Sequence, residues 1–373
     1  MFHQLCVLCV VYPPILTWVL RESVLHMSKQ ADRLSIIIEY EQTILDGDSR
    51  CLELLRVLQF QVMDYLAEER AFSVQQPVEI LFVHNKNSVL SKCLLDQLRI
   101  ISVESTGSID VRFIATDSSA YYVQKNIGYQ RSLGSLNVFI DSDVIPDSGW
   151  LARLLEPFAS PSVQVICGNT YIEPSGILEK AFALIWFHPK YEPATPLLED
   201  STLVKRTDIF PANNVAMRRS ATSDPPFTRL QGDVRGSCAV LAAELHDRGI
   251  EIWHNVGAGA SHPIPDGALG SLLRALVHGR DLIIISRYLR KRVNHGNDKN
   301  AHLWLWLKSI FGVPSAVKKR FRLVGVSFFE LPVVLSICAI YYGVVISGAI
   351  LTYVNTPFML RHFRLPGQPR YHG

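Results

Sequence analysis

The residues best suited to chemistry are Asp141 and Asp143, two carboxylates one residue apart at the end of the run Leu136-Asn137-Val138-Phe139-Ile140. A short apolar run of this kind predicts a buried strand and places both acids at its terminus. Paired hard oxygen donors suit Mg²⁺ or Mn²⁺, and either cation can hold a diphosphate. Taken alone, the stretch also fits a surface turn, because Asp is a common turn residue. Other polar residues recur at comparable places: Glu39 follows Leu34-Ser35-Ile36-Ile37-Ile38, and His84-Asn85 follow Val78-Glu79-Ile80-Leu81-Phe82-Val83.

The elements that must position these residues follow from hydrophobic period. Strands are expected near 34–38, 78–83, 111–114, 136–141, 163–167, 213–219 and 250–253. Helices are expected near 49–70 (Asp48 its N-cap), 89–100, 119–133, 150–158 and from just after Asp233 to His246. Strands alternating with helices predict an α/β fold with a mostly parallel sheet, in which ligands gather at the carboxyl ends of strands. Residues 171–210 read as a long, irregular, proline-punctuated and aromatic excursion, a length of loop that is often functional.

Composition bounds the class. The 373 residues can bury a large core, 48% are hydrophobic, 19% are charged, and the net charge is only +3. No nucleic-acid footprint shows in that balance. The seven cysteines have no spacing that makes a disulfide framework or a zinc site, and free thiols in a reducing compartment are expected. Residues 1–26 are apolar but broken by Pro13-Pro14, and an ordinary start follows at Met27. Segment 1–30 is therefore expected to be a poorly ordered or non-native extension. After it come a catalytic domain over 31–265, amphipathic and interfacial helices over 266–325, a transmembrane segment over 326–356 and a basic tail over 357–373. Helix 269–292 ends in basic residues, the Trp-rich stretch 303–313 suits an interface, and Lys318-Lys319-Arg320-Phe321-Arg322 is a basic cluster. Residues 331–354 carry no charge and are long enough to cross a bilayer.

The order of these parts resembles the family 2 glycosyltransferases with the GT-A fold. The resemblance covers about 34–265 and is carried by the acid-ended first strand, the Lys125-Asn126 helix, Asp141-Ser142-Asp143, Asn214-x-Ala-x-Arg218-Arg219, Gly232-Asp233 before a helix, and Ser261-His262. It implies a Rossmann-like nucleotide half joined to an acceptor half. It also implies roles. Asp141 and Asp143 hold a divalent cation, Mg²⁺ or Mn²⁺, with the nucleotide-sugar donor, Asp143 more directly, and His262 completes the metal site. Asp233 is the general base on the acceptor hydroxyl. Lys125 and Asn126 lie near the nucleotide, and Asn214 and Arg218 line the donor and acceptor pocket. Glu39 and His84-Asn85 stand where the family commonly has Pro-Thr-Tyr-Asn and a base-reading Asp, and Gly232 stands where it usually has Glu.

The implied activity is inverting transfer of a sugar to a glycan or lipid-linked acceptor, as in polysaccharide or cell-envelope synthesis, by a membrane protein whose catalytic domain faces the cytoplasm. Three other readings remain. Phe139-Ile140-Asp141-Ser142-Asp143 also resembles the first motif of haloacid-dehalogenase-type phosphohydrolases, with Asp141 as nucleophile, but three strands precede it and Ser237 stands where a further acid is wanted. A nucleotidyltransferase would want a Gly-rich loop after the first strand, where 39–48 has only Gly47. The third is a non-catalytic, transferase-like membrane protein.

Overall fold

The computed structural model describes residues 31–41, 48–105, 107–187, 204–232, 234–264, 267–293, 321 and 323–365. Segment 1–30, Asp233, stretch 303–313, and Lys318, Lys319, Arg320 and Arg322 of the basic cluster lie outside the described residues.

The chain runs β1 (Asp32–Glu39), α1 (Asp48–Ala67), β2 (Val74–Asn85), α2 (Lys92–Glu104), β3 (Ile109–Thr116), α3 (Tyr121–Arg131), β4 (Leu136–Asp141) and β5 (Ile145–Pro146). It continues with α4 (Trp150–Leu155), β6 (Val165–Tyr171), α5 (Ile177–Ile185), β7 (Val204–Thr207), β8 (Asn214–Arg218), α6 (Ser237–Asp247) and β9 (Ile252–Ser261). The last helices are α7 (Gly267–Val293), α8 (Leu331–Val354) and α9 (Thr356–His362). The sheet order is β3-β2-β1-β4-β8-β6-β9-β5, with β7 also on β9. The four strands β3 to β4 are mutually parallel, whereas β8 runs antiparallel to both β4 and β6, and β5 and β7 run antiparallel to β9. The sheet is thus a parallel half joined to a mixed half.

Side-chain alternation explains why the parallel half is buried on both faces. Leu34, Ile36 and Ile38 of β1, with Leu136, Val138 and Ile140 of β4, face the core formed with α1, α2 and α4. Ile37 and Phe139 point the other way, into the core shared with Tyr129 of α3 and Leu241 and Leu245 of α6.

Two elements depart from expectation. The 171–210 excursion contains the helix α5 and the strand β7. Helix α5 buries Ala181, Phe182, Ala183 and Leu184 against α7 and α8, so its stability comes from elements distant in sequence. Strand β9 runs well beyond the expected 250–253, because pairing with β6 carries it on to Ser261. That extension delivers His262 to the same sheet edge as the Asp pair.

Candidate active site

At the carboxyl edge of the parallel half, Glu39 and Asp141 sit directly opposite each other in the β1–β4 register. Both are buried, as is Asp143. Burial together with Asp141 pushes the Glu39 carboxyl well above its ordinary range. Asp141 is answered by two groups from α3: Tyr121 donates its hydroxyl to both carboxylate oxygens, at 2.8 and 3.0 Å, and Lys125 Nζ lies 2.7 Å from Oδ1. The helix places Tyr121 and Lys125 on one face because they are four residues apart. Burial, then Asp141, holds the Tyr121 phenol well above its usual value, so it stays protonated and a donor.

Asp143 is different. Its Oδ1 is buried and has no hydrogen-bond partner among the described residues, and burial pushes its carboxyl up. A buried, unanswered carboxylate oxygen is costly unless a cation or proton satisfies it. His262 faces it: ligand atoms of Asp141, Asp143 and His262 all lie within 4.8 Å of one another. His262 Nδ1 lies 2.6 Å from the Pro263 carbonyl, to which it donates, so Nε2 is the ring nitrogen left for a ligand. Two carboxylates and one imidazole are a fitting donor set for Mn²⁺ or Mg²⁺.

A residue that sequence reasoning missed joins the two arms of this site. Arg50 of α1 donates from Nε to the Asp143 carbonyl at 2.7 Å, and from its terminal nitrogen to the carbonyl and hydroxyl of Ser261 at 3.2 and 3.3 Å. The end of β4 is thereby tied to the end of β9. A surface arginine early in a helix gives no sequence signal for this, since its partners lie 93 and 211 residues away.

The site opens on a cavity of about 780 Å³. Asp141, His262, Asn169, Thr170 and Asn213 line its polar end, while Trp186, Phe187, Ile209, Phe210, Val277 and Leu365 supply apolar wall. Arg235 and Arg274 bring two guanidinium groups to it. Asp281 of α7 accepts the Arg235 backbone N–H and pairs with the buried Arg280; burial nonetheless pushes its carboxyl up to about 6. Between β8 and α6, Gly232 has φ +76° and Gly236 φ +126°, a backbone that disfavours side chains. A Cβ at Gly232 would meet the end of the Leu360 side chain of α9, which would have to shift, on top of the strain of the positive φ.

The remaining expected site residues are placed as follows. Asn214 opens β8 beside Ile140, but it is fully buried outside the cavity lining, where its amide accepts from Trp150 Nε1 and donates to the Ala258 carbonyl. Asn126 exchanges two hydrogen bonds with the Phe227 backbone and holds that loop. Arg218 is a correction. Because β8 runs antiparallel to β4, Arg218 pairs with Leu136, at the edge opposite the Asp pair, and its guanidinium binds Asp32 and the Phe158 carbonyl. His84 and Asn85 end β2 outside the cavity lining; His84 Nδ1 contacts the Asn85 carbonyl, and the Asn85 N–H donates to Glu41. Glu41, buried, also accepts from Ser88 and Gln124, so it rather than Glu39 organises that loop.

Residues 73–223, from just before β2 to just after β8, match the family model described as glycosyl transferase family 2. The match covers less than half of the 373 residues; with the fold it supports a glycosyltransferase activity. No curated protein matches it in sequence. Among solved structures it is similar to the mannosyltransferase PcManGT from Pyrobaculum calidifontis in complex with GDP-Man and Mn²⁺, at 13% identity and a TM-score of 0.52, over 92% of this chain and 95% of that one. A second structure, GalNAc-T7 with UDP, GalNAc and Mn²⁺, matches at 15% identity and a TM-score of 0.42, over 67% of this chain and 48% of that one. The likeness to the first is one of fold, and the fold is GT-A.

Proposed function

We propose that the glycosyltransferase is a metal-dependent, inverting enzyme that moves a sugar from a nucleoside-diphosphate sugar to an acceptor hydroxyl. The observation that carries the reading is the unanswered Asp143 oxygen in a cluster where ligand atoms of Asp141, Asp143 and His262 lie within 4.8 Å of one another. Asp143 and His262 would hold Mg²⁺ or Mn²⁺, with Asp141 beside them, and the cation supplies charge neutralisation to the departing diphosphate. Arg235 and Arg274 add positive charge on the same cavity.

In the transfer step the acceptor oxygen bonds to the anomeric carbon as the bond from that carbon to the diphosphate breaks. The electron pair leaves on the diphosphate, and the acceptor proton passes to a carboxylate. Asp233 is assigned that role by its place in the sequence, between Gly232 and the start of α6. One displacement inverts the anomeric centre. The apolar cavity wall suits a lipid-linked or glycan acceptor, and the catalytic domain is assigned to the cytoplasm, where nucleotide sugars are made. GDP-mannose is the first donor to try, since the similar mannosyltransferase structure holds GDP-Man. Hydrolase chemistry with Asp141 as nucleophile fits less well, because both its oxygens already accept from Tyr121.

The test is a thermal-shift panel of UDP-, GDP-, CMP- and dTDP-sugars with and without Mn²⁺. Stabilisation by at least one nucleoside-diphosphate sugar, dependent on Mn²⁺, is expected. No shift with any, or equal shifts without metal, would contradict the reading.

A further inference from the structure

Helix α8 is the one described helix long and apolar enough to cross a membrane. At 1.5 Å per residue its 24 residues span about 36 Å. A helix crossing a bilayer would present its two ends to opposite sides. Here both ends, and the middle, are fastened to the catalytic domain.

At the N-terminal end, Glu330 pairs with Lys180 of α5 at 2.8 Å. In the middle, Tyr341 accepts from Trp186 Nε1 at 2.6 Å. A Cβ on Gly348 would strike the Leu276 carbonyl, and one on Gly279 the Val345 carbonyl, so α7 and α8 meet backbone to backbone. Just past the C-terminal end, Leu360 packs with Leu230, Val234 and Val240. Arg280 then donates to the Phe363 carbonyl. The stretch of α7 against the centre of α8 includes the buried Arg280–Asp281 pair, and Asp281 lines the polar cavity. Turning α8 across a bilayer would draw that wall to the depth of the hydrocarbon, where ionised groups are strongly disfavoured.

The face turned away from the domain is nevertheless built for lipid. Val334, Cys338, Tyr341, Val345, Ala349 and Thr352 form the buried side. On the opposite side Ile340, Ile350 and Val354 are exposed, and Phe329 ahead of the helix and Phe358 after it continue the apolar strip. Exposed Arg290, Lys291 and Arg361 border its C-terminal end. Residues 282–293 and 331–365 contain no acid at all. An apolar strip with a one-signed basic margin matches the plane of an anionic membrane surface: acyl chains meet the strip and headgroup phosphates the arginines.

We propose that α8 lies in the membrane surface, parallel to it, and docks the catalytic domain broadside onto anionic lipid. The cavity, whose wall includes Val277 of α7, then stands next to the headgroup layer. This arrangement does not depend on which donor is used or on the metal site.

The test uses the full chain on vesicles of phosphatidylcholine with and without phosphatidylglycerol. Ser336→Cys, Ser347→Cys and Val354→Cys, each with Cys6→Ser, Cys9→Ser and Cys93→Ser, place a fluorescent label on the outward side of α8. Depth-resolved quenching by spin-labelled lipids is then read. Surface docking predicts equal depth for the three labels, about 5–10 Å into the headgroup–acyl boundary, and a larger bound fraction with the anionic lipid. A crossing helix predicts a label at 347 about 10 Å deeper than one at 354, seven residues away. It also puts labels at Phe329→Cys and Phe358→Cys on opposite sides of a sealed vesicle, so that an impermeant quencher reaches only one. Either of those outcomes overturns the proposal. So does a chain that leaves the vesicles and pairs with a second copy through this strip.

Discussion

Lys125 Nζ lies 2.7 Å from Asp141 Oδ1, and neither side chain is open to solvent by more than a few per cent. This cation is the internal counter-charge for two buried acids, Asp141 and Glu39. Lys125→Met should therefore destabilise the fold by about 3–5 kcal/mol, the typical cost of stranding a buried partner. Adding Asp141→Asn to Lys125→Met should recover part of the loss. Urea unfolding of the two variants checks both statements; a Lys125→Met protein as stable as wild type would show that the pair carries no such weight.

Arg50 acts on the cation site only through Asp143 and Ser261, so it is a positioning residue. Arg50→Ala should weaken Mn²⁺ binding by about 10–100-fold, the usual range for a group that orients ligands. Arg50→Lys should recover little, because a lysine cannot span both carbonyls with a rigid fork. Mn²⁺ titration followed by electron spin resonance reads this directly. A purely structural role would lower stability and leave Mn²⁺ affinity intact.

Much of the site was legible because the strand-end acids are local features. An apolar run ending in Asp-x-Asp needs only β-period burial to put Asp141 and Asp143 at a sheet edge. Arg50 and Glu41 were not legible, since their roles depend on partners set by the sheet order. Arg218 shows the reverse case. Its motif was readable, but the antiparallel direction of β8 was not, and direction alone decides which edge the residue reaches. Helix α5 was lost among prolines and aromatics because what stabilises it is α7 and α8.

Burial pushes the Asp143 carboxyl above its ordinary range of about 4. With the folded-state value raised, the metal-free protein has this group's stabilising contribution below the ordinary range and loses it as pH rises through the folded value. A cation must displace the same proton, so Mn²⁺ affinity should rise with pH up to the raised folded value and then level off. In Asp143→Asn that part of the pH dependence should vanish. Calorimetric Mn²⁺ titrations at several pH values check the slope; an unchanged slope in the variant would assign it elsewhere.

Arg218→Ala separates fold from site. It removes the ion pair with Asp32 and the bond to the Phe158 carbonyl, both only partly exposed, and should cost about 1–3 kcal/mol of stability. Mn²⁺ affinity and the donor-induced thermal shift should be unchanged. A selective loss of donor binding at full stability would return Arg218 to the pocket.

The most direct measurement is calorimetric titration of the best-stabilising nucleotide sugar into wild type and Asp143→Asn, each with saturating and with no Mn²⁺. Wild type should bind at least about tenfold, or 1.4 kcal/mol, more tightly with Mn²⁺ than without it. Asp143→Asn should lose that difference while keeping its fold. Equal, Mn²⁺-enhanced affinity in the two proteins would contradict a metal site at Asp143.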